Sequence, residues 1–114
     1  MNESPEAVVQ AQVDAYNLHD IEAFAATYTD DACYVRLASG EVAINGRDDI
    51  YQAFGDLFRT NPNVHVEITN RMTLGQYVVD REVITGREGQ PTGNVIAIYE
   101  VIDGLIHRVW SLRG

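Results

Sequence analysis

Histidine, cysteine, arginine and tyrosine are the residues through which this chain could do chemistry, and their spacing narrows the choice. The three histidines, His19, His65 and His107, are far apart and form no HxH, HExxH or Cys/His cluster, so the pattern offers no metal site. His107 is the candidate general base: alternation puts it on the same strand face as Val109, and an imidazole titrates in the useful range. The plainer reading is an ordinary strand histidine. His19 and Asp20 meet at a helix junction, where capping and packing account for both. Cys33 is the only cysteine, so it forms no intrachain disulfide and reads as buried filler in a chain suited to a reducing compartment. Arg81 lies in Val79-Asp80-Arg81-Glu82-Val83 and shares a face with Val79, Val83 and Thr85. If that face looks inward, Arg81 is placed to hold a carboxylate, while Asp80 and Glu82 turn away. The alternative is an arginine near a sheet edge that reaches solvent. Tyr16 and Tyr99 read as core aromatics with satisfied hydroxyls, or as walls of a cavity.

The elements that must position these groups are legible in the pattern. Gly93 to Arg113 reads as two long strands joined by a tight turn at Asp103-Gly104, a dipeptide that supplies positive φ cheaply. Val95, Ala97, Tyr99 and Val101 share one face of the first strand, and Asn94, Ile96, Ile98 and Glu100 share the other. In the return strand Ile106, Trp110 and Leu112 oppose His107, Val109 and Ser111. Both faces carry apolar side chains, so this pair is expected to be covered on both sides. Upstream, Ser4-Pro5-Glu6 opens a helix with Val9, Gln12, Val13 and Tyr16 on its stripe, and Asp20 caps a second, shorter helix. Cys33 to Leu37 and Glu41 to Ile44 read as short strands. Ile50, Phe54, Leu57 and Phe58 give a third helix over Arg47 to about Arg59, stopped by Asn61-Pro62-Asn63. Val64 to Met72 alternates as a strand with Val64, Val66, Ile68 and Met72 on one face, and Gln76 to Thr85 follows as its neighbour. The order predicts an α+β fold with helices segregated to one side of a mostly antiparallel sheet.

Composition excludes several classes. A chain of 114 residues is expected to form a single domain, 1–114. Its 17 acidic against 8 basic residues give a net charge of −9, the wrong balance for a nucleic-acid backbone. No apolar run approaches a membrane span and the first residues lack a signal-peptide pattern, so a cytoplasmic protein is expected.

Tyr16-Asn17 through His19-Asp20, Tyr28-Thr29-Asp30-Asp31-Ala32, Gly46-Arg47-Asp48, and Tyr99-Glu100-Val101 through Asp103-Gly104-Leu105-Ile106 with Trp110 occur in an order and spacing that resemble the nuclear transport factor 2-like superfamily. That is the cone fold of SnoaL-like polyketide cyclases and ketosteroid isomerases, and the resemblance covers nearly the whole chain. It implies a curved sheet wrapped around three helices of the N-terminal half, with an internal pocket. It also implies a homodimer through the outer sheet face, to which Ile96, Ile98 and Trp110 are assigned, although Trp110 could instead line the cavity. The position of the isomerases' catalytic base falls on Arg36, that of their tyrosine on Gln12 and that of their oxyanion aspartic acid on Ala97, so their chemistry is not expected here.

By the same match Arg36 points into the cavity, where it either pairs with an acid of its own chain or meets an anionic ligand. The resulting expectation is a small-molecule pocket protein without cofactor, taking a mostly apolar ligand with an acidic or polar group. Gln12, Tyr16, Arg36, Arg81 and Tyr99 are the binding residues. Two alternatives stand beside it: an isomerase, cyclase or dehydratase acting by proton transfer, with His107 or an unassigned carboxylate as base, and a dimeric association module with no ligand.

Overall fold

The computed structural model describes residues 3–114. Helix α1, Pro5–Leu18, starts where Ser4 accepts a hydrogen bond from the Ala7 amide at 3.2 Å, with proline in the first turn. His19 ends it in the left-handed conformation, and Asp20 then caps α2, Ile21–Ala25, by accepting from the Ala23 amide at 3.0 Å. The chain continues through β1 (Tyr28–Arg36), β2 (Val42–Asn45), α3 (Arg47–Thr60), β3 (His65–Leu74), β4 (Tyr77–Thr85), β5 (Gly93–Ile102) and β6 (Leu105–Arg113). The six strands form one sheet in the order β2-β1-β6-β5-β4-β3, antiparallel except for the parallel β1–β6 pair. The helices pack on one face of it, α1 against β3 to β6 and α3 against β1 and β2, which is the expected α+β cone.

Asp103 and Gly104 both have positive φ, 51° and 80°, and close the β5–β6 hairpin with Ile102 opposite Leu105. Val95, Ala97, Tyr99 and Val101 face the helices and are buried, whereas Ile96 and Ile98 face away, Ile96 being 41% exposed. The core between the layers is aromatic: Phe24 packs within 6 Å of Tyr28, Phe54 and Phe58. Since β3 is an edge strand, its backbone needs partners. The Asn17 side chain supplies them, donating to the Val66 carbonyl at 2.9 Å and accepting from the Val66 amide at 2.8 Å. The His19 ring donates from Nε2 to the Val64 carbonyl at 2.8 Å and stacks on Phe58.

Three departures from the sequence reading stand out, and the second and third share one cause, the β-bulge. First, β1 begins at Tyr28, well before Cys33: Tyr28 pairs with Ile106, and the register then shifts before Cys33 pairs with Arg108. Second, an extra residue at Thr69 reverses the alternation of β3. Val66 and Ile68 face the helices, but Met72 faces outward and is 67% exposed, while Arg71 turns inward opposite Asp80. Third, His107 is the extra residue in β6, because Val101 pairs with Ile106 and Glu100 with Arg108. Ile106 is therefore fully buried beneath the helices, and Trp110 and Leu112 lie on the outer face.

Candidate functional site

A cavity of about 320 Å³ lies between the concave face of the sheet and the helices. Its wall is largely apolar, with Val13 and Tyr16 from α1, Phe54 and Leu57 from α3, and Ile84, Val95, Ala97 and Val109 from the sheet. The polar lining is sparse and sorted by depth. Gln12, Glu82 and Tyr99 are buried at the floor, whereas Arg36 and Arg113 are exposed at the mouth and Arg87 is half-buried between.

Glu82 is the only carboxylate among the described lining residues. Parity places it there: β4 turns Val78, Asp80, Glu82 and Ile84 inward and Val79, Arg81 and Val83 outward. Two acids can share an inward face because Arg71 neutralises one of them. Its Nε and Nη2 donate to the two oxygens of the fully buried Asp80 at 2.7 and 2.9 Å, and its Nη1 donates to Gln10 at 2.8 Å. Glu82 has no cation of its own among the described residues. The Tyr99 hydroxyl donates to it at 2.7 Å. Burial pushes its carboxyl from 4.5 up to about 7; the Tyr99 hydrogen bond opposes the rise, the Asp80 charge adds to it and Arg71 offsets part of it. A carboxyl poised there can hold or take a proton near neutral pH.

A second polar chain enters from the other side of the floor. Gln12 Nε2 donates to the Tyr28 hydroxyl at 2.8 Å, and the Tyr28 and Tyr34 hydroxyls are hydrogen-bonded, with Tyr34 facing the cavity. Burial pushes both phenols well above 10, so both keep their protons. Tyr16, whose ring packs on Phe24, Phe54 and Phe58, is pushed up to about 12, chiefly by burial.

The residues expected from sequence distribute as follows. Gln12, Tyr16, Arg36 and Tyr99 all line the cavity. Arg36 pairs with an acid of its own chain, the first of its alternatives: it lines the mouth, and its Nε donates to Glu41 at 3.0 Å in an ion pair with 55% and 67% exposed side chains. Such a pair contributes about 0 to 1 kcal/mol and yields easily to a ligand. Arg81 does not line the cavity; it is exposed on the convex face, paired in register with Ile96. The expectation failed because Val79 and Val83 were read as inward, yet the convex face of this sheet is itself apolar. His107 is also outside the cavity, because the bulge at that residue breaks its alternation with Val109. Its Nδ1 lies 2.9 Å from Glu100, a hydrogen bond that chiefly holds the Glu100 carboxyl below its usual range, and its Nε2 lies 3.7 Å from Asp31, whose carboxyl is held down chiefly by the Thr29 hydroxyl. Trp110 sits on the convex face between Ile98 and Val35, with Arg108 5.7 Å from its ring centroid.

Glu82, Arg87, Arg113 and Tyr34 were missed. For Glu82 the signal was partial: a two-residue turn at Gly75-Gln76 sets Leu74 opposite Tyr77 and so brings Arg71 opposite Asp80, which puts the pair on one face without saying that this face looks inward. Arg87 had none, since the polar loop before β5 carries no periodicity. The loop lays its guanidinium over Gly93, where a Cβ would come within 2.5 Å of Nη2, and donates Nη2 to the Pro91 carbonyl at 3.0 Å. Its Nε is buried without a partner among the described residues. No group of three or more potential metal ligands occurs among the described residues. No helix there is long and apolar enough to cross a membrane.

Three solved structures place this geometry in context. An uncharacterized cystatin-fold protein from Novosphingobium aromaticivorans is 28% identical and superposes with a TM-score of 0.89 over 98% of this chain and 100% of its own. A hypothetical protein with a ketosteroid isomerase-like fold from Catenulispora acidiphila, in complex with trimethylamine, is 24% identical with a TM-score of 0.78, covering 96% of this chain and 86% of that one. A nuclear transport factor 2-like protein of unknown function from Cytophaga hutchinsonii is 11% identical with a TM-score of 0.81, covering 100% and 93%. Comparison with curated proteins finds no match. The SnoaL-like domain model matches residues 9–109, so the chain belongs to the SnoaL-like domain family.

Proposed function

We propose that the protein binds a small, largely apolar molecule bearing an acidic group, with its hydrocarbon in the cavity and its anionic end at the arginine mouth. The observation that carries this reading is the placement of charge: in a chain of net charge −9, three of the eight basic residues, Arg36, Arg87 and Arg113, line one apolar cavity. Arg87 and Arg113 take the place assigned from sequence to Arg81. A charge-assisted hydrogen bond contributes about 1.5 to 3 kcal/mol net, so losing one guanidinium weakens an acid by about tenfold or more. The test is calorimetric titration with 2-naphthoate and its neutral analogue 2-acetylnaphthalene. Arg113→Ala and Arg87→Ala weaken the acid and leave the ketone within about twofold; equal loss for both overturns the proposal.

A proton-transfer enzyme is the second reading, supported by Glu82, whose carboxyl is poised near neutral against a hydrophobic wall. Proton removal beside a carbonyl would use Glu82 as base. The check is exchange of the α-hydrogens of 1-indanone into deuterated water: Glu82→Gln abolishes catalysed exchange and retains binding, and unchanged exchange removes Glu82 from the chemistry. An association module without a ligand is the reading an open cavity favours least. A homodimer through the convex face is proposed alongside, since Ile96, Ile98, Trp110 and Leu112 form an apolar strip there with Ile96 and Leu112 41% and 40% exposed. Ile96→Glu should then give a monomer by light scattering.

A further inference from the structure

One oxygen of Glu82 is an unused acceptor at the floor of the cavity. The Tyr99 hydroxyl donates to Oε2, and no donor meets Oε1 among the described residues. The side-chain atoms there that are both sealed and unpartnered are Arg87 Nε and Arg108 Nε. Oε1 is not one of them, so it is open, and the space it opens onto is the cavity that Glu82 lines. Glu82 as a whole is only 8% exposed, so bulk water does little for its charge. Arg71 does little more, because its guanidinium is held by both oxygens of Asp80.

The wall around that oxygen is aromatic. Tyr16, Tyr34, Phe54 and Tyr99 all line the cavity, with ring centroids 5.4 Å apart for Tyr34 and Phe54 and 6.2 Å apart for Tyr16 and Phe54. Tyr16 and Tyr34 both feel the Glu82 charge, and burial keeps their hydroxyls protonated. Aromatic faces attract cations, most strongly where water is excluded. A buried ion pair usually gains little because both partners must lose hydration. Here the carboxyl has lost it on folding, so on binding only the ligand's cation does.

We propose that Glu82 and this aromatic wall form an ammonium subsite, so that the ligand is amphoteric, with its carboxylate at the arginine mouth, a charged amine at the floor and a short apolar spacer between them. The proposal rests on the small-molecule reading above and adds the chemistry of the ligand's inner end. Charge along the cavity runs the matching way, from Arg36, Arg87 and Arg113 at the mouth to the single acid below. An ammonium seated on Oε1 covers the atom that would take a proton, so this role and that of a base exclude each other.

The test compares three acids of nearly equal shape, 4-(aminomethyl)benzoate, 4-(hydroxymethyl)benzoate and 4-ethylbenzoate, and the same set lengthened by one methylene to sample reach. Affinities for the full chain and for Glu82→Gln are measured by calorimetry at roughly pH 8, above the value to which burial raises the Glu82 carboxyl. In the better-fitting set the wild type prefers the amine to the alkyl acid by about tenfold or more, the value of one charge-assisted hydrogen bond. Glu82→Gln removes that preference and still binds the alkyl acid, which shows that the variant is folded. An alkyl acid bound as tightly as the amine, a hydroxyl probe bound tightest, or a preference unchanged within about twofold in Glu82→Gln overturns the proposal and leaves the small-acid reading standing. Failure of every probe to bind overturns both.

Discussion

Replacing Glu82 with glutamine isolates the electrostatic cost of the cavity floor. The native carboxyl holds its proton up to about 7, whereas in the unfolded chain it loses it near 4.5. Between those values the native state binds the extra proton, so the contribution of Glu82 to stability falls as pH rises, and above the upper value the full cost of burying the charge is present. At 1.36 kcal/mol per unit the interval amounts to about 3 kcal/mol. Glutamine is nearly isosteric, carries no charge and still accepts from Tyr99, so the substitution removes the pH dependence and little else. The assay is urea unfolding of both proteins, followed by Trp110 fluorescence, across roughly pH 4 to 8. Subtracting the two curves cancels the other titrating groups. The variant should match the wild type near the acid end and exceed it by about 3 kcal/mol near pH 8. A difference that stays constant within about 0.5 kcal/mol, the scatter of a neutral substitution, would refute the reasoning.

Other consequences of the structure can be checked by the same unfolding measurement. Arg71→Leu leaves the fully buried Asp80 without its partner and should cost about 3 to 5 kcal/mol, much of it recovered in the double variant Arg71→Leu/Asp80→Leu. Gly86→Ala puts a Cβ 1.9 Å from the Asn63 carbonyl oxygen at a φ of +77°, so the loop that carries Arg87 must shift; a loss exceeding about 1 kcal/mol is expected, and a neutral result contradicts the packing. Glu100 is held below 4.5 chiefly by the His107 hydrogen bond. It therefore contributes stability that is present above its unfolded value and lost as pH falls through its lowered folded one. Glu100→Gln should destabilise near pH 6, and by progressively less as pH falls below 4.5.

Local chemistry made much of this fold readable from the chain. Ser4 and Asp20 cap helices because their oxygens meet amides three residues on, and Asp103-Gly104 turns a hairpin because both residues tolerate positive φ. The apolar stripe of α3 packs where its period directs it. The failures came from parity. A strand read by alternation is correct only up to the next extra residue, and the bulges at Thr69 and His107 each exchange the faces of everything beyond them. His107 left the list of bases, and Met72 left the core, for this reason. Arg81 and Glu82 were exchanged by a different ambiguity: both faces of β4 carry valine, so hydrophobicity could not say which face meets the helices, and the Arg71–Asp80 pair fixes only that these two share a face. Arg87 depends on how a glycine-rich loop folds back over Gly93, a tertiary fact with no local signature.

The central claim is that the hollow beneath α1 and α3 accepts a small acid through its arginine mouth, and location tests it more directly than affinity. Titration of nitrogen-15-labelled protein with 2-naphthoate should give saturable amide shifts at Val95, Ala97, Tyr99 and Val109, with the arginine side-chain signal of Arg87 moving in step. Shifts confined to exposed positions such as Arg59 and Arg81, or growing linearly without saturation, would contradict it.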